Sequence, residues 1–134
     1  MSLYRKNETD LQMYSGDTGS LRINDLPVDK NYKVYFEVTR ASNLEKIFEI
    51  MVESNGWSSV VFDISAEKSN LLTVKNINAP EVFYWAVKLC DENGTEDTVL
   101  PKTEVDPETG LATFAKPYKL FVNYKMVEGD TNVE

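Results

Sequence analysis

The residues most suggestive of chemistry are Asp17-Thr18-Gly19, the triplet that carries the catalytic aspartate in aspartic proteases. In those enzymes two aspartates share one proton, so a chain of 134 residues would take the second from another copy. The flanking sequence argues against this chemistry, because Ser15-Gly16 stands where an apolar strand should lead into the aspartate. The later glycines also lack the expected apolar-apolar-Gly context. We therefore interpret Asp17 as a turn residue whose carboxylate accepts backbone N–H bonds.

A second candidate is the acidic stretch from Asp91 to Asp97, which is rich enough in oxygens to suggest calcium. A calcium loop of the EF-hand type needs oxygens at positions 1, 3 and 5 and glycine at position 6, whereas Gly94 falls at position 4. The chain has no histidine and a single cysteine, so it offers no imidazole base, no internal disulfide and no zinc-ligand set. The sequence thus predicts a protein that is not an enzyme, with no catalytic residues, no metal site and no cofactor.

The charge balance points in the same direction. The chain carries 14 Lys and Arg against 22 Asp and Glu, a formal net charge of −8. Such a surface argues against binding to nucleic acid or anionic membranes, which require basic patches. No apolar run has membrane-spanning length, and the first 14 residues contain no apolar region typical of a signal peptide. Whether the initial Met-Ser-Leu is native stays open.

The rest of the sequence indicates one domain over 1–134, with 1–9 and 128–134 as flexible ends. Short alternating apolar runs are separated by turn signals at intervals of ~8–15 residues, a pattern typical of β-sandwiches. Tyr32 to Thr39 is the clearest strand, and Asn93-Gly94 indicates a two-residue hairpin turn. The predicted inner face consists of Leu21, Ile23, Val34, Phe36, Val38, Val60, Phe62, Ile64, Phe83, Trp85, Val87, Leu89, Leu120 and Val122.

Two segments could be helical. Residues 42–54 fit a helix by apolar spacing from Leu44 to Val52. They also fit a strand in which Phe48, Ile50 and Val52 alternate with Glu49, Met51 and Glu53. In the strand interpretation Asn55-Gly56 is a hairpin turn; in the helix interpretation it is the C-terminal cap. Residues 65–72 predict a single helical turn capped by Ser65.

Four aromatic residues could form an interaction surface. Tyr35, Tyr84 and Phe121 lie on the strand faces opposite the predicted core, and Trp57 follows a turn. Such residues suit a surface for protein contacts, a stacking platform for carbohydrate, or ordinary packing.

A longer set of signals resembles the small Ig-like structural domains of tailed bacteriophages. The chain is similar in this order to the N-terminal domain of phage baseplate upper proteins and related tail or head-appendage proteins. The signals in chain order are Gly16-Asp17-Thr18, Tyr32-x-Val34-x-Phe36-x-Val38, Val60-x-Phe62-x-Ile64 with a Ser65-capped turn, Phe83-x-Trp85-x-Val87-x-Leu89 with a turn ending in Gly94, and Thr98-Val99-Leu100. The chain departs from the family at Asn78-Ala79-Pro80 and in an extra hairpin over Thr103 to Phe114.

The resemblance implies an all-β, antiparallel Ig-like sandwich of about seven to nine strands with one short helical turn, and a strand over Lys46–Val52. It further implies a non-catalytic virion structural or assembly module of a baseplate, tail or head appendage, made in the bacterial host cytoplasm. Its expected partners are other virion structural proteins, with itself as a further candidate. The alternative function is a carbohydrate- or ligand-binding β-sandwich module.

Overall fold

The computed structural model describes residues 3–113 and 116–125, and these fold as an all-β sandwich with one helical turn, α1 (Ala66–Ser69). The strands are β1 (Leu3–Arg5), β2 (Leu11–Tyr14), β3 (Gly19–Ile23), β4 (Lys33–Arg40), β5 (Lys46–Glu53), β6 (Val60–Ile64), β7 (Glu81–Cys90), β8 (Glu96–Leu100), β9 (Glu104–Val105), β10 (Ala112–Thr113) and β11 (Tyr118–Asn123). The all-β prediction is confirmed. The described residues form eleven strands, more than the expected seven to nine, and three of them (β1, β9 and β10) have only two or three residues each.

Seven strands form the larger sheet, in the order β1-β2-β11-β7-β4-β5, with β8 also paired to β7. Strand β7 has ten residues, so one of its edges accommodates β11 along residues 81–85 and β8 along residues 87–90. Strands β3 and β6 form the second layer, and β9 pairs with β10 as the predicted extra hairpin. Phe114, the expected end of that hairpin, lies outside the described residues.

Among the described strands the pairing is antiparallel, with β2 and β11 as the exception to the prediction. Strand β2 runs parallel to β11, with Leu11 opposite Leu120 and Met13 opposite Val122. All four of these residues are buried, so the parallel pair brings the start and the end of the described chain into one core. Within the predicted flexible segment 1–9, residues 3–5 form β1; residues 128–134 lie outside the described residues.

The predicted inner face is buried in full, since all fourteen residues belong to the core between the two layers. The alternation of side chains along each strand predicts these residues correctly, because one face of the strand packs against the other layer and the opposite face does not. The ring of Phe36 lies at the centre, with centroids 5.5 Å from Phe62 and 5.8 Å from Trp85. The buried indole of Trp85 also donates to the Thr9 carbonyl at 3.0 Å. The core further includes Leu3, Leu11, Met13, Leu26, Phe48 and Leu72.

Residues 46–53 form a strand, which confirms the strand interpretation of the contested segment. Phe48 and Ile50 pair with Val38 and Phe36 of β4, and these cross-strand contacts outweigh the helical spacing. Leu44, the first apolar residue of the helix interpretation, is 69% exposed and adopts φ 61 in the β4–β5 turn.

Two turn predictions are wrong in detail. Asn55-Gly56 does not close a hairpin, because β5 and β6 are paired in different sheets and this turn carries the chain between them. The loop before β8 is longer than a two-residue turn: the Gly94 N–H donates to the Asp91 carbonyl at 3.0 Å, and the Asp91 carboxylate accepts from Asn93 and Thr95. The predicted helical turn is confirmed as α1, with the Ser65 hydroxyl accepting from the Lys68 N–H at 3.2 Å.

Candidate functional site

The outer face of the larger sheet carries three of the four predicted surface aromatics. Tyr35 on β4, Tyr84 on β7 and Phe121 on β11 are half-buried and alternate with core residues. Trp57 is 71% exposed and lies in the turn after β5. This turn is at the end of the sandwich where β4 begins, because the Ser54 N–H donates to the Tyr32 carbonyl and the Trp57 N–H donates to the Ser54 carbonyl. The structure therefore brings three of the four to one sheet face and leaves Trp57 apart.

Tyr84 and Phe121 are neighbours on that face. Phe121 lies opposite Val82 in the β11–β7 register, and Lys119 lies opposite Tyr84, so the two rings occupy diagonal positions. Diagonal positions in a sheet are ~7–8 Å apart, which is within reach of aromatic side chains. Tyr35 is farther away: Thr39 lies opposite Tyr84 in the β4–β7 pair, and Tyr35 is four residues from Thr39. At ~3.3 Å per residue in a strand, this is a distance of ~13 Å.

Ion pairs occupy the surface near Tyr35. The Glu37 carboxylate lies 2.8 Å from Lys88 Nζ and 3.6 Å from Lys46 Nζ, and Lys88 also lies 3.4 Å from Glu96. The hydrogen bond with Glu37 raises the pKa of Lys88 above its ordinary value. Lys88 Nζ sits 5.4 Å from the centre of the Tyr35 ring. This part of the face is thus a charged network in which Tyr35 is flanked by cations and carboxylates.

The face continues past Phe121 onto residues that sequence reasoning missed. Tyr4 on β1 is 56% exposed and Tyr14 on β2 is 46% exposed. Gln12 on β2 lies between Tyr4 and Phe121, because it is opposite Tyr4 in the β1–β2 pair and opposite Phe121 in the β2–β11 pair. Alternation with Leu11 and Met13 would have placed Tyr14 outward, but β1 has three residues and gives no sequence signal.

We call Tyr4, Tyr14, Tyr84 and Phe121 the outer aromatic surface. Two amide side chains lie beside it, and Gln12 Nε2 donates to Asn123 Oδ1 at 2.9 Å. Lys6 Nζ lies 4.7 Å above the Phe121 ring, a cation–π contact. The charged side chains next to these aromatics include Lys6 and Lys119, although the whole chain has an excess of carboxylates.

A shallow depression of about 260 Å³ borders Tyr84. Pro101 and Pro117 form one side of it, where β8 ends and β11 begins along the edge of β7. Thr39 and Ala86 line the opposite side. Glu37 also borders this recess, so its lining combines proline and tyrosine rings with one carboxylate. A recess of this size beside an aromatic face can hold one side chain of a bound protein.

The acidic residues of the two sequence motifs have other partners in the fold. Among the described residues no backbone N–H donates to the Asp17 carboxylate, contrary to the prediction; its Oδ1 accepts from Lys125 Nζ at 2.5 Å. The cause is the parallel β2–β11 pair, which brings the end of β11 beside the β2–β3 turn. Asp91 uses its carboxylate to close its own loop. Within residues 3–113 and 116–125, no group of three or more His, Cys, Asp or Glu is arranged to hold a metal ion.

Comparison of the chain with protein-family models, curated proteins and solved structures finds no match. Among the described residues no helix has the length and apolar character needed to cross a bilayer. That the sandwich is Ig-like stays a prediction, as does the phage resemblance. The structure thus defines an all-β sandwich whose larger sheet has an aromatic outer face.

Proposed function

We propose that this protein is a non-catalytic structural or assembly module of a bacteriophage virion, acting through protein–protein contacts. The observation that carries the binding role is the outer aromatic surface, four aromatic side chains spread over the adjacent strands β1, β2, β11 and β7. The virion assignment is supported by the order of sequence signals from Met13 to Pro101. Its expected partners are other virion structural proteins.

The contact we propose to test is with a second copy of the chain. A flat sheet face can pack on the same face of another copy, as the two sheets of a sandwich pack on each other. Lys6 and Lys119 are charged neighbours of these aromatics, and the Glu37 carboxylate lies on the same sheet face beside Tyr84, so both signs of charge border the contact. Repulsion between two chains of charge −8 is screened over ~10 Å at 0.1 M salt, whereas an apolar contact does not depend on charge.

Light scattering coupled to size exclusion tests this proposal. We expect association to strengthen as salt rises from about 0.05 to about 0.5 M. The Tyr84→Ser/Phe121→Ser variant should remain monomeric and keep the thermal midpoint of a folded domain, because neither ring belongs to the core. Trp57→Ser is the matched control and should associate like the parent. A strict monomer at every salt and protein concentration would contradict a self-contact at this surface.

Carbohydrate binding is the second candidate, and one observation favours it. Tyr4, Gln12 and Phe121 lie in one row across three strands, with the Asn123 amide beside them. Aromatic faces with neighbouring amides suit the stacking and hydrogen bonding of a sugar ring. In titration calorimetry with bacterial surface oligosaccharides, binding that is lost in Tyr4→Ala would support this function. Absence of binding by the parent chain would leave the protein contact.

A further inference from the structure

A groove at one edge of the sandwich lies between the free edges of β1 and β3, on the core side of the larger sheet. Within the described chain β1 pairs only with β2, and β3 pairs only with β6, so each strand has one edge without a strand partner. The two edges meet at one end, where a Cβ added to Gly19 would lie 2.8 Å from Leu3 Cβ. Beyond that point they separate and enclose a groove of about 860 Å³.

The floor of the groove is apolar and its length suits an extended peptide. The floor consists of Leu3, Leu11, Leu21, Ile23, Leu100 and Tyr118. A second hollow of about 350 Å³ shares part of this lining and extends it past Pro27. The five residues of β3 span ~16 Å, so a segment of about five residues could run along the edge.

The Arg5 side chain contacts a backbone carbonyl at the free edge of β3. The Arg5 guanidinium reaches across the groove, and Nη2 donates to the Arg22 carbonyl at 3.4 Å, a long hydrogen bond. Its Nη1 donates to the Glu8 carbonyl at 3.2 Å. A side chain therefore contacts an edge carbonyl that a strand N–H would satisfy at about 2.9 Å. An entering strand can displace Arg5 and form the better bond.

The charges lining the groove favour an acidic partner. Arg5, Arg22 and Lys102 line it, and within residues 3–113 and 116–125 none of the three is paired with a carboxylate. Two carboxylates, Glu8 and Asp25, also line it, beyond the ends of β1 and β3. Three cations against two anions is the reverse of the whole-chain balance of 14 to 22.

We infer that this groove accepts an extended β-strand segment of a partner protein, with acidic residues alternating with apolar ones. The segment adds to the free edge of β3, places its apolar side chains on the floor and pairs its carboxylates with Arg5 and Lys102. Main-chain hydrogen bonds supply the affinity in this mode of recognition, and the side-chain sites supply the selectivity. The inference does not depend on the outer aromatic surface, which lies on the other side of the larger sheet.

Two pools of synthetic eight-residue peptides test the inference. Both pools alternate Val, Ile or Thr with charged residues; the acidic pool uses Asp and Glu, and the basic pool uses Lys and Arg. Each pool is passed over the immobilised full chain at about 0.1 M salt, and retained peptides are quantified by mass spectrometry. We expect at least about tenfold more acidic than basic peptide to be retained, because both pools offer the same backbone and differ only in charge.

Variants assign the binding to the groove. In Arg5→Gln/Lys102→Gln retention of the acidic pool should fall by at least about fivefold, with the thermal midpoint kept because both side chains are exposed. The matched control Lys33→Gln/Lys75→Gln removes two positive charges from exposed residues outside the groove, and it should bind the acidic pool like the parent. The Tyr84→Ser/Phe121→Ser variant should also bind the acidic peptides. Loss of self-association through the outer aromatic surface can therefore be told apart from loss of peptide binding in the groove. Equal retention of the pools, no retention, or loss in the Lys33/Lys75 variant would overturn the inference.

Discussion

Removal of Glu81 should destabilise this domain far more than removal of an exposed carboxylate. Glu81 Oε2 lies 2.7 Å from Arg40 Nη1, and the two side chains are 16% and 6% exposed. Arg40 also donates to Thr73 Oγ1 at 2.6 Å and lies 4.9 Å above the Phe83 ring. Glu81→Ala leaves a buried guanidinium without its counter-charge.

The size of the effect follows from burial. Breaking a buried ion pair by deleting one partner costs about 3–5 kcal/mol. The contacts of Arg40 with Thr73 survive, so we expect the lower end, about 3 kcal/mol, which is a large fraction of the ~5–15 kcal/mol that stabilises a typical domain. Glu81→Gln keeps an acceptor oxygen and should cost about half as much. The double variant Arg40→Met/Glu81→Leu should lie within about 1 kcal/mol of the parent, because an apolar pair of similar volume needs no desolvation.

Equilibrium unfolding in urea measures these differences. A loss of 3 kcal/mol should lower the midpoint by ~1–2 M without a change in the slope. Glu96→Ala is the matched control: its partner Lys88 is 3.4 Å away and its own side chain is 58% exposed, so the cost should stay below ~1 kcal/mol. If Glu81→Ala cost no more than Glu96→Ala, the Arg40–Glu81 pair would not stabilise the fold in the way described.

Four further outcomes are expected. Thermal unfolding should be unchanged by EDTA or by reductant; a fall of several degrees with EDTA would reveal a metal site. Asp17→Asn should cost at most ~1 kcal/mol in urea unfolding, because it removes one partly exposed ion pair, and the parent should not cleave an unstructured substrate. Gly19→Ala should lower stability by ~1–3 kcal/mol, since the new methyl group would overlap Leu3; an unchanged midpoint would show that the two strands can separate at no cost. The hydrogen bond with Glu37 raises the pKa of Lys88 above 10.5, so this pair contributes its full stability below pH 10.5 and loses it as the pH rises through the higher pKa of the folded state. In a curve of unfolding free energy against pH, Lys88→Gln should therefore reduce the loss of stability at alkaline pH. An unchanged loss would contradict the coupling between Lys88 and Glu37.

The sequence alone determined the fourteen residues of the predicted inner face, which make up most of the core. Residues such as Val34, Phe36 and Val38 alternate with polar neighbours, and that pattern has one solution when a single face is buried. The same logic placed Tyr35, Tyr84 and Phe121 outward. The turn at Ser65 was also predictable, because a capping hydroxyl acts over three residues and needs no distant partner.

Distant contacts decided the rest. The segment 46–53 has both helical and strand periodicity, and it became a strand because β4 offers partners for Phe48 and Ile50. Asp17 took its partner from Lys125, 108 residues away, through a parallel strand pair that no local pattern encodes.

Both candidate binding surfaces also depend on tertiary structure. Strand β1 has three residues, too few for a periodic signal, yet its position at the sheet edge adds Tyr4 to the outer aromatic surface and gives the groove one of its walls. A sequence pattern tells which side of a strand faces the core. Which strands lie side by side, and which edges stay without a partner, is set by the packing of the whole chain.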